Sequence, residues 1–232
     1  MDVFSNGPGT KAALASYTST ASRYAILSHT WIREVPGDVV YRDWHVRARN
    51  ERGYTKIAKF CEIAAGEHGL TFGWMDTVCI NKESSSELDE SIRAMYRWYH
   101  GAAVCVAYLA ETQDVGGMHA DAWFTRGWTL QELLAPKKVA FYNKEWMHMG
   151  SLGPDEPLLL EELLESQIEK ATTLTGAELA VTKGRYIAGG GSMSSFRVMQ
   201  LAAMRTVTRE EDKAYSIMGL LDVQITISYG EG

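Results

Sequence analysis

The stretch from Ala102 to Ala110 (AAVCVAYLA) is almost unbroken in apolar character. A run of that kind suits a strand covered on both faces, as in a parallel sheet, and parallel strands require crossover connections. The first two thirds of the chain supply them. Tyr24 to Trp31 (YAILSHTW), Phe72 to Ile80 (FGWMDTVCI) and Lys138 to Asn143 (KVAFYN) read as further strands. Between them, Ile57, Phe60, Cys61 and Ala64 fall at helical spacing within Tyr54 to Glu67, and Leu88, Ile92, Met95, Tyr96 and Tyr99 share one helical face. Thr125 stands where it can cap a helix running through Trp128 and Glu132 to Pro136. This alternation predicts an α/β fold, a parallel sheet flanked by helices with right-handed crossovers.

The pattern changes beyond residue 150. Leu158 to Lys170 reads as a leucine-rich helix with a solvated acidic face. Gly189-Gly190-Gly191-Ser192 reads as a linker, because it lacks both the lysine and the preceding strand of a phosphate loop. Thr208-x-x-Glu211 fits a capping box ahead of Ala214, Ile217, Met218 and Leu221 on one face. The expected organisation is a flexible segment over 1–23, an α/β core over 24–150 and a mainly helical part over 151–232.

Composition narrows the function classes. The net charge of −6, with no Lys/Arg block, argues against non-specific nucleic-acid binding. Cys61, Cys79 and Cys105 stand apart without a CxxC pair, as reduced thiols of a cytosolic protein do. The patterns put Cys61 on an apolar helix face and the other two in strand-like runs, where a thiol acts as a small buried hydrophobe. Met1 to Arg23 holds no apolar core of signal-peptide length, and no stretch reaches the ~20 apolar residues of a bilayer span. A cytoplasmic protein without a membrane span is therefore expected. His45, His68, His100, His119 and His148 show no metal-ligand spacing, and no Gly-x-Ser-x-Gly elbow is present. No metal is expected.

Three segments carry a family resemblance: YAILSHTW (Tyr24 to Trp31), WMDTVCINKESSSELDESIRAMYRWY (Trp74 to Tyr99) and RGWTLQELLAP (Arg126 to Pro136). They resemble the motifs of the fungal heterokaryon-incompatibility (HET) domain, an intracellular cell-death module. TREEDKAYSIMGLLDV…YGEG, Thr208 to Gly232, is similar to the segment that usually closes such a domain, beyond which members commonly continue. The resemblance implies a distant kinship with TIR domains and so a TIR-like, flavodoxin-like core with an added C-terminal helical subdomain. TIR enzymes cleave NAD at the nicotinamide–ribose bond with a helical glutamate in a W-C-x-x-E motif. Trp128-Thr129-Leu130-Gln131-Glu132 is similar to it, with threonine at the cysteine position, and Glu132 is the implied catalytic carboxylate.

Breaking an N-glycosidic bond builds oxocarbenium character on the ribose, which a nearby carboxylate stabilises. Nicotinamide leaves without a strong acid, so one essential carboxylate suffices. In a doubly wound sheet, ligands gather at the carboxyl ends of the strands. Ser28, His29, Thr30 and Trp31 are placed there by the pattern. Ser28 and Thr30 are as well suited to turn or cap roles as to ligand contact. His29 is either a proton shuttle near neutral pH or a structural histidine. Asp76, at the middle or end of the second strand, either orients a ribose or cation or caps the turn through Asn81. Arg126 either binds a phosphate or pairs with Glu132, and Trp31 and Trp128 either stack a ring of the nucleotide or pack in the core.

The function implied is an NAD(P)+ glycohydrolase, with NAD+ or NADP+ as substrate and no further cofactor required. Its expected partners are the dinucleotide, further copies of the chain and an upstream receptor or sensor protein. The alternatives are a non-catalytic, self-assembling death adaptor and a nucleotide-binding signalling module.

Overall fold

In a computed structural model, residues 23–154, 158–184 and 193–230 are described. The expected flexible segment and the Gly189–Ser192 linker lie outside them, apart from Arg23. Five strands form one sheet: β1 (Tyr24–His29), β2 (Phe72–Trp74), β3 (Val104–Tyr108), β4 (Val139–Tyr142) and β5 (His148–Leu152), in the order β2-β1-β3-β4-β5. This is the strand order of flavodoxin-like doubly wound folds. β1 pairs in parallel with β2 and β3, and β3 with β4, while β5 runs antiparallel beside β4.

The parallel strands are as buried as their apolar runs require. Val104, Cys105, Val106 and Ala107 of β3, and all four residues of β4, are closed off from solvent. One face of the sheet packs on Ile57, Phe60 and Ile63 of α1 (Glu51–Gly66), whose stripe sits at helical spacing as expected. The other face packs on Met95 and Tyr99 of α3 (Ser85–Gly101) and on Leu130, Leu133 and Leu134 of α4 (Thr129–Leu134). Asn50 and Ser84 cap α1 and α3 by accepting Gly53 N–H and Glu87 N–H.

Several local expectations need correction. The second strand stops at Trp74, and Asp76–Cys79 turn into a short helix, α2, so Cys79 is helical and only half-buried. Alternation over FGWMDTVCI cannot tell a strand from a strand that breaks into one helical turn. Thr125 does not cap α4: it closes the 3-10 turn Ala122–Thr125 and donates to Ala122 O, while Trp128 stands at the N-cap. β5 goes unread in the sequence because HMGSL is short and holds a glycine. The boundary expected at residue 150 falls inside it.

The C-terminal part contains α5 (Leu158–Thr172), α6 (Gly176–Thr182), α7 (Ser195–Ala203) and α8 (Asp212–Tyr215). Thr175 and Glu178 form a capping box on α6, whereas the one expected at Thr208 and Glu211 does not form; Glu211 is the N-cap of α8 and makes no side-chain cap. Gly219 lies against α3, where a Cβ would come within 2.2 Å of Tyr96 Cβ. Among the described residues, no helix is long and apolar enough to cross a membrane.

Candidate active site

Ser28 and His29 are the last residues of β1 and are both buried. Trp31, two residues on, is 46% exposed. The chain thus leaves the core at the carboxyl end of a central strand, where doubly wound sheets open their ligand crevice. The Glu132 carboxylate reaches this strand end from α4. Ser28 Oγ donates to Glu132 Oε2 and in turn accepts the Trp123 indole N–H at 2.7 Å. Trp123 is wholly buried, held by a turn that Asp121 organises by accepting Trp123 N–H, Glu111 N–H and the Thr112 hydroxyl. The Tyr99 hydroxyl lies beside the same carboxylate and donates to Leu27 O at 3.1 Å.

Among the described residues, Glu132 has no cation within ion-pair distance. Burial pushes its pKa up to about 7; the Ser28 hydrogen bond and the charge of Arg126 oppose the rise, and Asp76 adds to it. The residue nonetheless keeps partial solvent contact. A carboxylate held in place by neutral donors and left unpaired has the chemistry to stabilise a positive charge brought beside it.

A second cluster adjoins it. Asp76, the first residue of α2 rather than a strand residue, accepts the Trp31 indole N–H at 3.2 Å and the Lys82 ammonium at 3.0 Å. Burial works against its charge, but Lys82 wins and holds the carboxyl below its ordinary range. It does not cap the next turn; Asn81 does so by accepting Glu83 N–H. His29 Nε2 lies 3.9 Å from Asp76 Oδ1 and 4.0 Å from Asp38 Oδ1, with no hydrogen-bond partner. Burial, seconded by Lys56, pushes its pKa down to about 3. His29 is therefore neutral at physiological pH, and the near-neutral titration expected of a shuttle is absent. Lys56 donates to Asp38 Oδ1 and to Thr30 O, which fixes the turn after β1.

Arg126 directs its charge at Glu132, Asp76 and His29 without touching any of them; its guanidinium lies 5.9 Å from the Trp31 ring. Trp128 packs with the core and with the small cluster of Ile92, Tyr215 and Met218, the structural alternative left open above. Ser28, His29, Trp31, Asp76, Arg126 and Glu132 are thus brought together. Thr30 contributes its backbone carbonyl, and Trp128 faces the core.

The sequence reading passes over Asp38, Lys56, Lys82, Tyr99 and Trp123. Lys56 did leave a signal: it lies four and seven residues before Phe60 and Ile63, a charge within the buried stripe of α1. The reading also misses two buried cations from the C-terminal part. Lys183, closing α6, donates to Leu133 O and Pro136 O at the C-terminal end of α4, where a cation satisfies orphan carbonyls. Arg205 donates to Arg126 O and to Thr129 Oγ1 at the opposite end. Burial lowers the Lys183 pKa to about 7 and that of Arg205 to about 10. Gly127 allows the close approach this clamp needs, since a Cβ there would meet Val207 Cγ1 at 2.5 Å. The six-residue helix that carries Glu132 is held at both ends by the chain that follows it. Among the described residues, no group of three His, Cys, Asp or Glu is placed to hold a metal ion.

No solved structure matches this chain. A curated relative, the vegetative incompatibility protein HET-E-1 of Podospora anserina, is 39% identical over 224 residues, which cover 90% of this chain and 15% of the relative. The chain therefore spans only a small part of the relative's length. Residues 24–122 match the model of the family described as heterokaryon incompatibility protein (HET), a match that takes in Ser28 to Asp76 and ends before Arg126 and Glu132. With the motifs at Tyr24 to Trp31 and Trp74 to Tyr99 inside that match, the chain contains a heterokaryon-incompatibility (HET) domain.

Proposed function

We propose that this chain is a cell-death effector domain that cleaves the nicotinamide–ribose bond of NAD+ or NADP+, with Glu132 as the essential carboxylate. The observation that carries this reading is the state of Glu132: unpaired, partly exposed and fixed by Ser28 at the carboxyl end of β1. As the C1′–N bond breaks, its electron pair leaves with neutral nicotinamide and positive charge builds on the ribose. The Glu132 carboxylate opposes that charge, a water oxygen adds to C1′, and its proton passes to solvent. A carboxyl of pKa about 7 is partly protonated at neutral pH. The cationic pyridinium of the incoming dinucleotide draws that value down, so substrate binding itself ionises the group. Trp31, Asp76 and Arg126, gathered at the same end of β1, supply contacts for the rest of the nucleotide.

The test is nicotinamide release from NAD+ by protein concentrated enough to assemble, with Glu132→Ala and Glu132→Gln alongside. Turnover lost in both variants supports the reading; turnover retained in either one removes it.

One feature favours a second, non-catalytic role. On α7, Phe196 and Met199 lie one turn apart, and with Met204 just beyond they are largely exposed. An apolar strip of this kind suits contact with a second copy or an upstream receptor, as an adaptor requires. If Phe196→Asp abolishes cell killing and Glu132→Gln leaves it intact, the adaptor reading prevails over the enzymatic one.

A further inference from the structure

The Trp31 indole is exposed, yet its ring is not free for simple stacking. Lys82 Nζ lies 3.6 Å from the ring centroid, and Arg126 Cζ lies 5.9 Å from it. The indole N–H is meanwhile tied to Asp76. In a chain of net charge −6, two cations gather at one aromatic ring, beside Asp76 and the unpaired Glu132 carboxylate.

The two cations are not used up by the protein. An ammonium has three donors, and Lys82 gives one to Asp76 Oδ2. The Arg126 guanidinium has five, and among the described residues no carboxylate lies within ion-pair distance of it. Both are only partly exposed, so a hydrogen bond from either is screened less than on an open surface. Resting on the nucleotide reading of Glu132, we infer that Lys82 and Arg126 form an anion subsite on the Trp31 ring for the diphosphate of a dinucleotide. Trp31 acts here as a platform that fixes the positions of two cations, with Asp76 holding platform and Lys82 together. The arrangement recognises a compact dianionic group rather than a long polyanion, which the overall negative charge repels.

The subsite is separable from the chemistry. Calorimetric titration with ADP and with adenosine probes it without any bond being broken. The full chain and its Glu132→Gln variant are expected to bind ADP at least about tenfold more tightly than adenosine, a preference that weakens with salt. Lys82→Met and Arg126→Met are each expected to lose about tenfold in ADP affinity with adenosine unaffected, and Lys82→Arg to retain most of it. Equal affinity for ADP and adenosine, no ADP binding by the wild type, or wild-type ADP affinity in both methionine variants overturns the assignment. If ADP binding depends on Lys82 and Arg126 while NAD+ is not cleaved, the subsite stands and the glycohydrolase reading falls. If NAD+ cleavage depends on Glu132 while both methionine variants keep the wild-type KM, the reverse holds.

Discussion

Replacing Glu132 by glutamine should stabilise the protein, by an increment that grows as pH rises. The carboxyl moves from its ordinary 4.5 to about 7 on folding, chiefly because burial disfavours its charged form. One pKa unit corresponds to about 1.4 kcal/mol, so the ionised group costs the folded state ~3 kcal/mol. Its partial solvent contact screens part of this, and ~2 kcal/mol is the figure to test. The sign follows from proton linkage. Between pH 4.5 and 7 the folded state holds a proton that the unfolded state has lost, so stability falls as pH rises. The loss is complete above about pH 7 and absent well below 4.5. Glutamine keeps the shape and the acceptor for Ser28 but never ionises. In a chain of this size ~1 kcal/mol moves Tm by about 2–4 °C, so Glu132→Gln is expected to melt about 4–8 °C above wild type near pH 8.5. Near pH 5 about a quarter of that increment should remain. Calorimetric melts of both proteins at the two pH values decide the matter. An increment that does not grow with pH refutes the account of Glu132 as a half-buried, unpaired carboxylate.

The other predictions address how the site is held and how it works. If Glu132 is the essential carboxylate, kcat/KM for NAD+ should rise tenfold per pH unit below about 7 and level off above it, a limb that initial rates across pH will show or exclude. Ser28→Ala removes the hydrogen bond that favours the carboxylate and should move that limb to higher pH; it also strands the Trp123 indole N–H, at a loss of ~1–3 kcal/mol read from urea denaturation. Lys183→Met strands Leu133 O and Pro136 O at the end of α4 and should lower stability by ~1–3 kcal/mol, with faster hydrogen exchange concentrated in α4. Gly219→Ala drives a methyl group into Tyr96 and should destabilise by ~1–3 kcal/mol, seen as a lower urea midpoint with an unchanged slope.

Much of the frame was written locally. The apolar runs of β1, β3 and β4 and the stripes of α1 and α3 mark themselves, because burial on two faces or on one leaves a periodic trace in the chain. Glu132, Ser28 and Asp76 were also nameable, through motifs whose residues stand close in sequence. The tertiary structure alone decided which partners they meet. Asp38, Lys56, Lys82, Tyr99 and Trp123 reach the site from five different segments, and Lys183 and Arg205 grip α4 from 50 and 76 residues downstream. A polar side chain that is satisfied only across the fold leaves no periodicity behind. Periodicity records whether a residue is buried, whereas a hydrogen bond or a pKa depends on which atoms share that burial. The charge state of Glu132 therefore belongs to the assembled molecule.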